Sequence, residues 1–289
     1  MIIKLVIPVY NDWQSVNKLI ERISNELNFS EGNISIIILN DSSSEKPPEN
    51  YLNFENISNI KIINLSKNIG HARAIATGLK YIFKDEKFDY IIPMDADGED
   101  RPEEIKSLLN ETKLNPDLPI VCERVKRSEG LLFKFCYFIH KLITFIFTGK
   151  SIKFGNFCCI PMHTVQKMIN EKASWSSFSG SLKKISKKLV GIPSERGKRY
   201  FGPSKMSFKN LIIHSLSIIG VFKYVVLFRS ILFFVIYFLL IVKNLTIITS
   251  LPLILIFIFN VLVFLVSKRE NLEDYNNSLH NISDIKIIK

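Results

Sequence analysis

The sequence predicts an α/β protein with a doubly wound, mainly parallel sheet, followed by a C-terminal hairpin of two transmembrane helices. Two observations predict this class. Up to residue 125, short apolar segments alternate with segments of helical periodicity, a pattern typical of strands buried between two layers of helices. From residue 225 to 266 the chain is almost wholly apolar, which is rare outside a membrane.

The composition excludes several classes of protein. The 289 residues include 38 Lys and Arg against 27 Asp and Glu, a net charge of +11, and 47% are hydrophobic, which excludes a disordered polymer. Four cysteines without a CxxC pair exclude a disulfide scaffold and a zinc ribbon. Basic residues are concentrated between 183 and 209. Beside a membrane anchor, such a cluster indicates binding of anionic lipid headgroups or phosphates rather than of nucleic acid. The alternative is a solvated basic face that binds no ligand.

Five strands and three helices are predicted before residue 125. The strands are Ile2–Val9, Ile34–Leu39, Ile60–Leu65, Tyr90–Met94 and Leu118–Cys122. The helices are Trp13–Leu27, Gly70–Phe83 and one that begins at Pro102. In an open parallel sheet, ligands bind beyond the carboxyl ends of the strands. Polar segments follow four of these ends, namely Tyr10–Asp12, Asn40–Ser44, Ser66–Gly70 and Asp95–Glu99.

The chain divides by composition into four parts. Residues 1–209 form the main domain, within which 130–149 are interpreted as a membrane-interfacial helix, with an ordinary core helix as the alternative. Residues 210–224 form an amphipathic juxtamembrane segment, 225–266 two transmembrane helices, and 267–289 a polar tail that we expect to be mobile.

The transmembrane prediction depends on length and on flanking charge. Leu245–Val266 has 22 residues without a charge, enough to span a hydrocarbon core of about 30 Å. Two buried core helices are the alternative. Lys223 and Arg229 precede the hairpin and Lys268 and Arg269 follow it, so the positive-inside rule predicts a multi-pass inner-membrane protein with a cytoplasmic main domain.

Two carboxylates follow the fourth predicted strand. Asp95 and Asp97 have side chains that project to the same face, and two carboxylates so close repel each other unless a cation joins them. A hard divalent ion such as Mg²⁺ or Mn²⁺ suits them, with Glu99 as a third oxygen ligand. The alternative is a pair of acidic residues that cap a turn.

A basic turn lies between residues 196 and 205. Gly202 and Pro203 predict a tight turn, flanked by Arg199 and Lys205 with the hydroxyl of Ser204 as a further donor. This set suits a phosphate, and a bidentate arginine is its strongest element. Two further arginines that could grip a second phosphate follow the fifth strand, Arg124 and Arg127. The alternative is a surface turn with scattered basic residues.

These motifs together resemble family 2 glycosyltransferases of the GT-A fold. The resemblance is carried by Ile7-Pro8-Val9-Tyr10-Asn11-Asp12, Asn40-Asp41-Ser42-Ser43-Ser44, Asn68-Ile69-Gly70-His71-Ala72-Arg73 and Asp95-Ala96-Asp97. The RxxGxSK turn from Arg199 to Lys205 and the two C-terminal helices are similar to those of polyprenol-phosphate hexose synthases. Asn40 stands where the family usually has an aspartate.

The resemblance implies a metal-dependent hexosyltransferase of the cell envelope and a role for each matched residue. It implies that Pro8, Tyr10, Asp12 and Asp41 bind the nucleotide of a nucleoside-diphosphate sugar. It implies that Asp95, Asp97 and Glu99 hold the metal, that Arg124 and Arg127 bind the donor with Asp95, and that Arg199, Ser204 and Lys205 hold the acceptor phosphate. Asp97, Arg199 and Lys205 are the predicted catalytic residues.

The acceptor is predicted from an absence of acids. A sugar hydroxyl needs a general base, yet no Asp or Glu lies between Glu171 and Glu195, although either of these two could still reach the site. A phosphate monoester, with a second pKa of about 6, needs no base. We therefore expect an inverting transfer of a hexose to polyprenyl phosphate. The alternatives are transfer to a hydroxyl of a lipid-linked glycan and a non-catalytic nucleotide-sugar-binding protein.

Other predictions are less specific. Membrane lipids are expected partners, nucleic acid is not, and a homo-oligomer is left open. His71 begins the second helix and is interpreted as a packing residue, with a place near the nucleotide as the alternative.

Overall fold

The computed structural model describes residues 1–27, 32–47, 56–126, 131–203 and 207–289, and for residues 126 and 131–135 the backbone alone. Its centre is an eight-stranded sheet with the strand order β7-β5-β6-β4-β1-β2-β3-β8. The strands are β1 (Ile2–Val9), β2 (Asn33–Asn40), β3 (Asn59–Leu65), β4 (Tyr90–Pro93), β5 (Ile120–Lys126), β6 (Phe154–Pro161), β7 (Val190–Glu195) and β8 (Ile282–Ile287).

The described part of the chain contains ten α-helices. They are α1 (Trp13–Glu26), α2 (His71–Asp85), α3 (Glu104–Leu114), α4 (Leu131–Thr148), α5 (Met162–Ile169), α6 (Phe178–Ile185), α7 (Phe208–Gly220), α8 (Lys223–Ile241), α9 (Ile247–Ser267) and α10 (Leu272–Asn276). The five predicted strands and three predicted helices of the first 125 residues are therefore confirmed, with ends that differ by a few residues.

The four central strands run parallel and end together. β1 pairs with β2 and β4, and β2 pairs with β3, all in parallel. In this register Val9 lies beside Asn40, and Asn40 lies beside Asn64. β1 and β2 are buried on both faces, which explains their continuous apolar sequences. The residues that follow these strands consequently share one edge of the sheet.

Two layers of helix cover the sheet. The buried side of α1, from Val16 to Ile23, belongs to the main core together with β1, β2 and the apolar side of α3. Each Leu or Ile side chain buried in this way contributes about 1.5–3 kcal/mol. The core thus fixes the position of the strand ends on which the polar residues lie.

Three strands were not predicted. β6 runs antiparallel to both β4 and β5, and β7 pairs in parallel with β5, so the sheet is mixed at this side. β6 begins Phe-Gly-Asn and β7 contains Pro193, which hides both from a search for apolar runs.

The expectation of a mobile tail is wrong. β8 pairs antiparallel with β3 and becomes an edge strand of the sheet. Before it, Tyr275 is fully buried and stacks on Trp175 with 5.5 Å between ring centroids, and its hydroxyl donates to the carbonyl of Met168 at 3.1 Å. One buried aromatic residue among polar neighbours is enough to anchor the segment, and a composition average does not detect it.

The chain forms two compact units, of which the first contains the sheet. It comprises residues 1–128, 153–205 and 271–289, and the second comprises residues 129–152 and 206–270. The second unit contains α4, α7, α8 and α9. By length and composition the chain has two candidate membrane spans among its described residues, Lys223–Asn244 within the second unit and Ile247–Asn276, which begins in it. Most of the large apolar side chains on α8 and α9 are exposed, as lipid-facing residues are.

Arg229 holds two helices of the second unit together. Its Nη1 donates to the carbonyl of Ile146 at 2.8 Å near the end of α4. Gly149 leaves room for the guanidinium, because a Cβ there would lie 2.6 Å from Nη2 of Arg229. α4 also contacts the hairpin through Phe147, whose ring lies 4.6 Å from that of Phe259. The hairpin and α4 therefore pack together within the second unit.

Candidate functional site

The loop after β1 is fastened to the loop after β2. Asn11 has a positive φ of 50°, and its Oδ1 accepts the backbone N–H of Ser44 at 2.8 Å. The backbone N–H of Asn11 donates to Oγ of Ser43 at 2.9 Å. Tyr10 is exposed beside this loop, whereas Pro8 lies inside β1 and is buried. Of the residues predicted to bind the donor nucleotide here, Tyr10 is therefore accessible and Pro8 is not.

Asp41 organises the start of α2. Its two carboxylate oxygens accept the backbone N–H groups of Ile69 at 2.8 Å and Gly70 at 2.9 Å. Burial raises the pKa of Asp41, and these two hydrogen bonds oppose that shift. Asp41, which is predicted to contact the nucleotide, thus fixes the loop that precedes His71, the first residue of α2.

The turn after β4, here called the acidic turn, contains three aspartates, Asp95, Asp97 and Asp100. Asp100 Oδ2 accepts the backbone N–H of Asp95 at 2.9 Å, and Asp97 Oδ1 accepts the backbone N–H of Glu99 at 2.9 Å. Gly98 has a φ of +88°, which favours glycine. These bonds close a tight turn that directs several carboxylates toward the same edge of the sheet.

The loop after β7 begins at Arg196 and contains the basic turn predicted from the sequence; this basic loop docks on the acidic turn. The backbone N–H of Gly197 donates to the carbonyl of Glu99 at 2.9 Å, and that of Tyr200 donates to the carbonyl of Asp97 at 2.8 Å. The ring of Tyr200 lies directly on Gly98, where a Cβ would be 2.6 Å from Cε1 of the ring. The basic turn predicted from the sequence is therefore part of the same site as the aspartates.

Two arginines of that loop pair with the carboxylates of the turn. Arg199 donates through Nη1 to Oδ2 of Asp97, and its Nη2 lies 3.4 Å from Oδ2 of Asp12. Arg196 donates through Nη2 to Oε2 of Glu99. Among the described residues, Nε of Arg199 is buried without a hydrogen-bond partner. Arg199 thus joins the ends of β1 and β4 and keeps a donor that no described group uses.

Asp95 faces a histidine from across the sheet edge. Its Oδ1 lies 3.1 Å from Nε2 of His71, and Nδ2 of Asn156 lies 2.7 Å from the same nitrogen. The His71 side chain is nevertheless 46% exposed. His71 therefore lies near the predicted nucleotide site, as the alternative interpretation had it. The preferred interpretation of His71 as a packing residue is wrong.

Arg124 lies beside the same aspartates. Its Nη2 is 3.7 Å from Oδ1 of Asp100, which is almost fully buried. Gly155 provides space for the guanidinium, since a Cβ there would lie 3.2 Å from Nη2. Arg124 is therefore held at the carboxyl edge, as the prediction of a donor-binding arginine requires.

The clustered charges shift several pKa values. The pKa of Asp97 is raised to about 6 and that of Asp100 to about 7, in both cases mainly by burial and next by the charge of Asp95. Burial opposes ionisation of Asp95 too, but the charges of His71 and Arg124 act against it and its pKa is lowered. Burial lowers the pKa of His71, and the charge of Asp95 reverses this so that the pKa is raised. The carboxylates of this turn thus repel one another, and the pKa values of Asp97 and Asp100 rise as a result.

The predicted metal ligands do not form one cluster in the described part of the chain. Glu99 is paired with Arg196 and Asp97 with Arg199, so Glu99 does not stand beside the two aspartates as a third ligand. The described residues give the buried Oδ1 of Asp95 no well-aligned hydrogen bond. Such an oxygen, with the carboxylate of Asp97 nearby in the turn, fits a hard divalent cation.

Some predicted site residues lie outside the described residues. These are Arg127, Ser204 and Lys205. Three residues at the edge were given no specific role from the sequence, namely Asn156, Asp100 and Arg196, although Arg196 begins the predicted basic turn. Asp100 belongs to the same acidic turn as Asp95, so its spacing was a usable signal. No local pattern indicates Asn156, which reaches the site from an antiparallel strand.

Comparison with known proteins gives a family and a fold. A family model described as Glycosyl transferase family 2 matches residues 4–172. The undecaprenyl-phosphate 4-deoxy-4-formamido-L-arabinose transferase of Salmonella choleraesuis (strain SC-B67) is 27% identical over 218 residues, and so is that of Salmonella typhimurium (strain LT2). Each match covers 73% of this chain and 64% of the relative, so the chain matches less than two thirds of these relatives' length.

A solved structure shows the same fold. Glucosyl-3-phosphoglycerate synthase from Mycobacterium tuberculosis, in complex with Mn²⁺, UDP-glucose and phosphoglyceric acid, superposes with a TM-score of 0.54 at 12% identity. The superposition covers 78% of this chain and 79% of that chain. The chain therefore shares the fold of that synthase, and the GT-A prediction is confirmed.

Proposed function

Because the chain belongs to glycosyl transferase family 2, we propose that it transfers a sugar from a nucleoside-diphosphate sugar to polyprenyl phosphate. One observation carries the proposal. Arg199, from the basic loop after β7, lies between Asp97 of the acidic turn and Asp12 after β1. The residues suited to an acceptor phosphate and those suited to a donor diphosphate therefore share one site. The relatives named as undecaprenyl-phosphate sugar transferases support the same acceptor class.

The donor is assigned to the carboxyl edge of the sheet. Tyr10 and Asp12, after β1, would contact the nucleotide, and Arg124, beside Asp100, would contact the diphosphate. Asp95 and Asp97 would hold Mg²⁺ or Mn²⁺, which neutralises the diphosphate as it leaves. The Mn²⁺ of the related synthase structure supports this choice of ion.

The acceptor phosphate is assigned to the basic loop. Arg199, with Ser204 and Lys205, would hold the lipid phosphate in line with the anomeric carbon of the sugar. An oxygen of the phosphate attacks C1 while the bond from C1 to the diphosphate breaks, so that the configuration at C1 inverts. The electron pair leaves with the nucleoside diphosphate. Rate enhancement then comes from positioning and electrostatics, because a phosphate monoester needs no base at neutral pH.

One of the two acids that could have served a hydroxyl acceptor is held by other groups. Glu171 accepts from the backbone N–H of Ala173 at 3.1 Å and from Lys184 at 3.0 Å. This engagement favours a phosphate acceptor over a glycan hydroxyl.

The apolar hairpin would hold the site at the cytoplasmic face of the membrane. Lys223 precedes it and Lys268 and Arg269 follow it, against Lys243 alone in the connection between α8 and α9. Labelling of an Asn244→Cys variant by a membrane-impermeant maleimide in intact cells tests this orientation. Labelling from outside is expected, and labelling only after lysis would reverse the orientation.

Transfer is tested with the membrane-embedded protein, polyprenyl phosphate, Mn²⁺ or Mg²⁺ and radiolabelled UDP- and GDP-sugars. Label is expected in an acid-labile lipid fraction and should be lost in Asp97→Ala. Asp117→Ala is the matched control, because Asp117 is exposed before β5 and outside the site. Label in an acid-stable glycan would instead show a hydroxyl acceptor. Label that stays aqueous with every donor would refute the proposal.

A further inference from the structure

Arg22, near the end of α1, reaches the basic loop. Its Cζ lies 5.6 Å from the centre of the Tyr200 ring, within the range of a cation–π contact, and its Nη1 lies 3.4 Å from the Tyr200 hydroxyl. The two residues are 178 apart in the chain, and no motif in the sequence points to Arg22. The contact therefore joins the loop that carries Arg199 to a helix of the main core.

The guanidinium of Arg22 is itself held in place. Its Nη2 donates to Oε1 of Glu103, the residue before α3. The other oxygen of Glu103 lies 3.5 Å from Nε of Arg101. A planar guanidinium can pair with a carboxylate and contact an aromatic ring at the same time, which an ammonium does less well. Because the Arg22 side chain is 38% exposed, its ion pair alone contributes little to stability.

The base of the basic loop is fixed by other contacts. Glu104, the first residue of α3, accepts from the hydroxyl of Ser194 at 2.7 Å and from the backbone N–H of Glu195 at 2.9 Å. At Gly197 a Cβ would lie 2.3 Å from the carbonyl oxygen of Gly98, so the backbone of the loop lies directly on the acidic turn. These contacts fix the loop as far as Gly197.

Tyr200 is the support of the loop beyond Gly197. Its backbone N–H donates to the carbonyl of Asp97 at 2.8 Å, and its half-buried ring packs against the main core. The ring also lies on Gly98 and in contact with Arg22. Arg199 is the residue before Tyr200, so the place of the Tyr200 ring determines where the guanidinium of Arg199 can reach.

We propose that Arg22 is a positioning residue for the acceptor phosphate, acting through the ring of Tyr200 on Arg199. A displacement of about 1 Å at a positioning group can cost about a hundredfold in rate. Tyr10 and Arg124, assigned to the donor, lie on other segments, so the loss of Arg22 should affect the acceptor and spare the donor. The inference rests on the proposed function, which assigns the acceptor phosphate to this loop.

Kinetics of the full-length protein in nanodiscs test this division. In Arg22→Ala, kcat/KM for polyprenyl phosphate should fall at least tenfold, whereas the dissociation constants of UDP and GDP in Mn²⁺ should change less than twofold. Arg22→Lys, which keeps a cation near the ring, should recover most of the loss. Lys18→Ala is the matched control, because Lys18 lies on the same helix in an exposed ion pair with Glu21. An equal loss for donor and acceptor would overturn the inference.

Tyr200→Leu tests whether Arg22 acts through the ring. In that background Arg22→Ala should lower kcat/KM for the acceptor less than twofold further, because the ring that Arg22 holds is gone. Thermal unfolding of each variant reports whether it is folded. A tenfold loss from Arg22→Ala in both backgrounds would show that Arg22 acts by another route, such as its pair with Glu103, and would overturn the inference.

Amide hydrogen exchange gives a readout that does not depend on transfer. The N–H of Tyr200, bonded to Asp97, should exchange at least tenfold faster in Arg22→Ala and at the wild-type rate in Lys18→Ala. Unchanged exchange in Arg22→Ala, in a protein that transfers sugar, would overturn this inference alone. Wild-type protein that transfers no sugar to polyprenyl phosphate would overturn the proposed function and with it the acceptor role of Arg22, even where the exchange is faster.

Discussion

Gly98→Ala tests whether the basic loop is fixed on the acidic turn. The added Cβ would lie 2.6 Å from Cε1 of Tyr200, against 3.4–4 Å for ordinary contact, so the ring must move by about 1 Å. An alanine at a φ of +88° also costs about 1–2 kcal/mol in backbone strain. Overpacking adds about 1–3 kcal/mol, and we expect a total loss of about 2–5 kcal/mol in the free energy of unfolding.

Gly70→Ala is the matched control for the strain. Its φ of +90° also lies in the region that favours glycine, but nothing lies within 4 Å of its Cβ position, so this variant is strained without a collision. The contact with Tyr200 is measured by the loss of unfolding free energy in Gly98→Ala in the presence and in the absence of Tyr200→Ala. Adding Tyr200→Ala to Gly98→Ala should recover the part due to the collision.

The same displacement should reduce sugar transfer. Arg199 precedes Tyr200 in the loop, and a shift of 1 Å at a positioning group can cost about a hundredfold in rate. Turnover of Gly98→Ala is therefore expected to fall far more than its nucleotide affinity. A loss of unfolding free energy in Gly98→Ala that is the same with and without Tyr200→Ala, together with unchanged turnover, would refute the docking of the loop.

Three further perturbations have defined outcomes. Arg199→Ala should lower the rate of transfer about a hundredfold or more, and unchanged transfer would contradict the role of Arg199. Mn²⁺ binding, followed by electron paramagnetic resonance, should not weaken, because the substitution removes a hydrogen-bond donor and no metal ligand. Glu86→Gln should cost about 2 kcal/mol at pH 7, since two lysines hold this carboxylate and lower its pKa from 4.5. A carboxylate whose pKa is lower in the folded than in the unfolded protein stabilises the fold at pH values above the unfolded pKa. The difference between Glu86→Gln and wild type should therefore vanish as the pH falls below 4.5. Glu21→Gln, in an exposed ion pair, should change the stability little. Tyr275→Ala should cost about 3–5 kcal/mol and expose the tail to proteolysis, and Leu272→Ala, half-exposed on the same helix, should do neither.

The sequence was most informative where structure is local. β1, β2 and β3 are continuous apolar runs, and the polar residues after them could be placed at one edge because parallel strands end together. The acidic turn and the basic loop were both identified as functional because the residues of each lie close together in the sequence. Their pairing was not predictable, because Asp97 and Arg199 are 102 residues apart in the chain.

Residues that reach the site from distant elements could not be predicted. Asn156 lies on an antiparallel strand that lacks an apolar pattern, and it meets His71 across 85 residues. Glu99 was predicted as a metal ligand from its spacing to Asp97, but spacing does not show that Arg196 takes its charge. Charge pairs of this kind depend on the docking of two loops, and the sequence of either loop alone does not contain that information.

The asparagine that departs from the family pattern has a structural explanation in the tail. Nδ2 of Asn40 donates to Oδ1 of Asn64 at 2.7 Å, and Nδ2 of Asn64 donates to Oδ2 of Asp284 on β8 at 2.9 Å. An aspartate at position 40 would have no donor for Asn64. The Asn64 amide would then have to turn its nitrogen toward position 40 and its oxygen toward Asp284, which would leave that carboxylate facing a carbonyl. Asn40 and Asp284 are therefore a matched pair, joined through Asn64. The tail that the composition suggested to be mobile is thus connected, through two hydrogen bonds, to the loop that bears Asp41 and Ser43 at the proposed donor site.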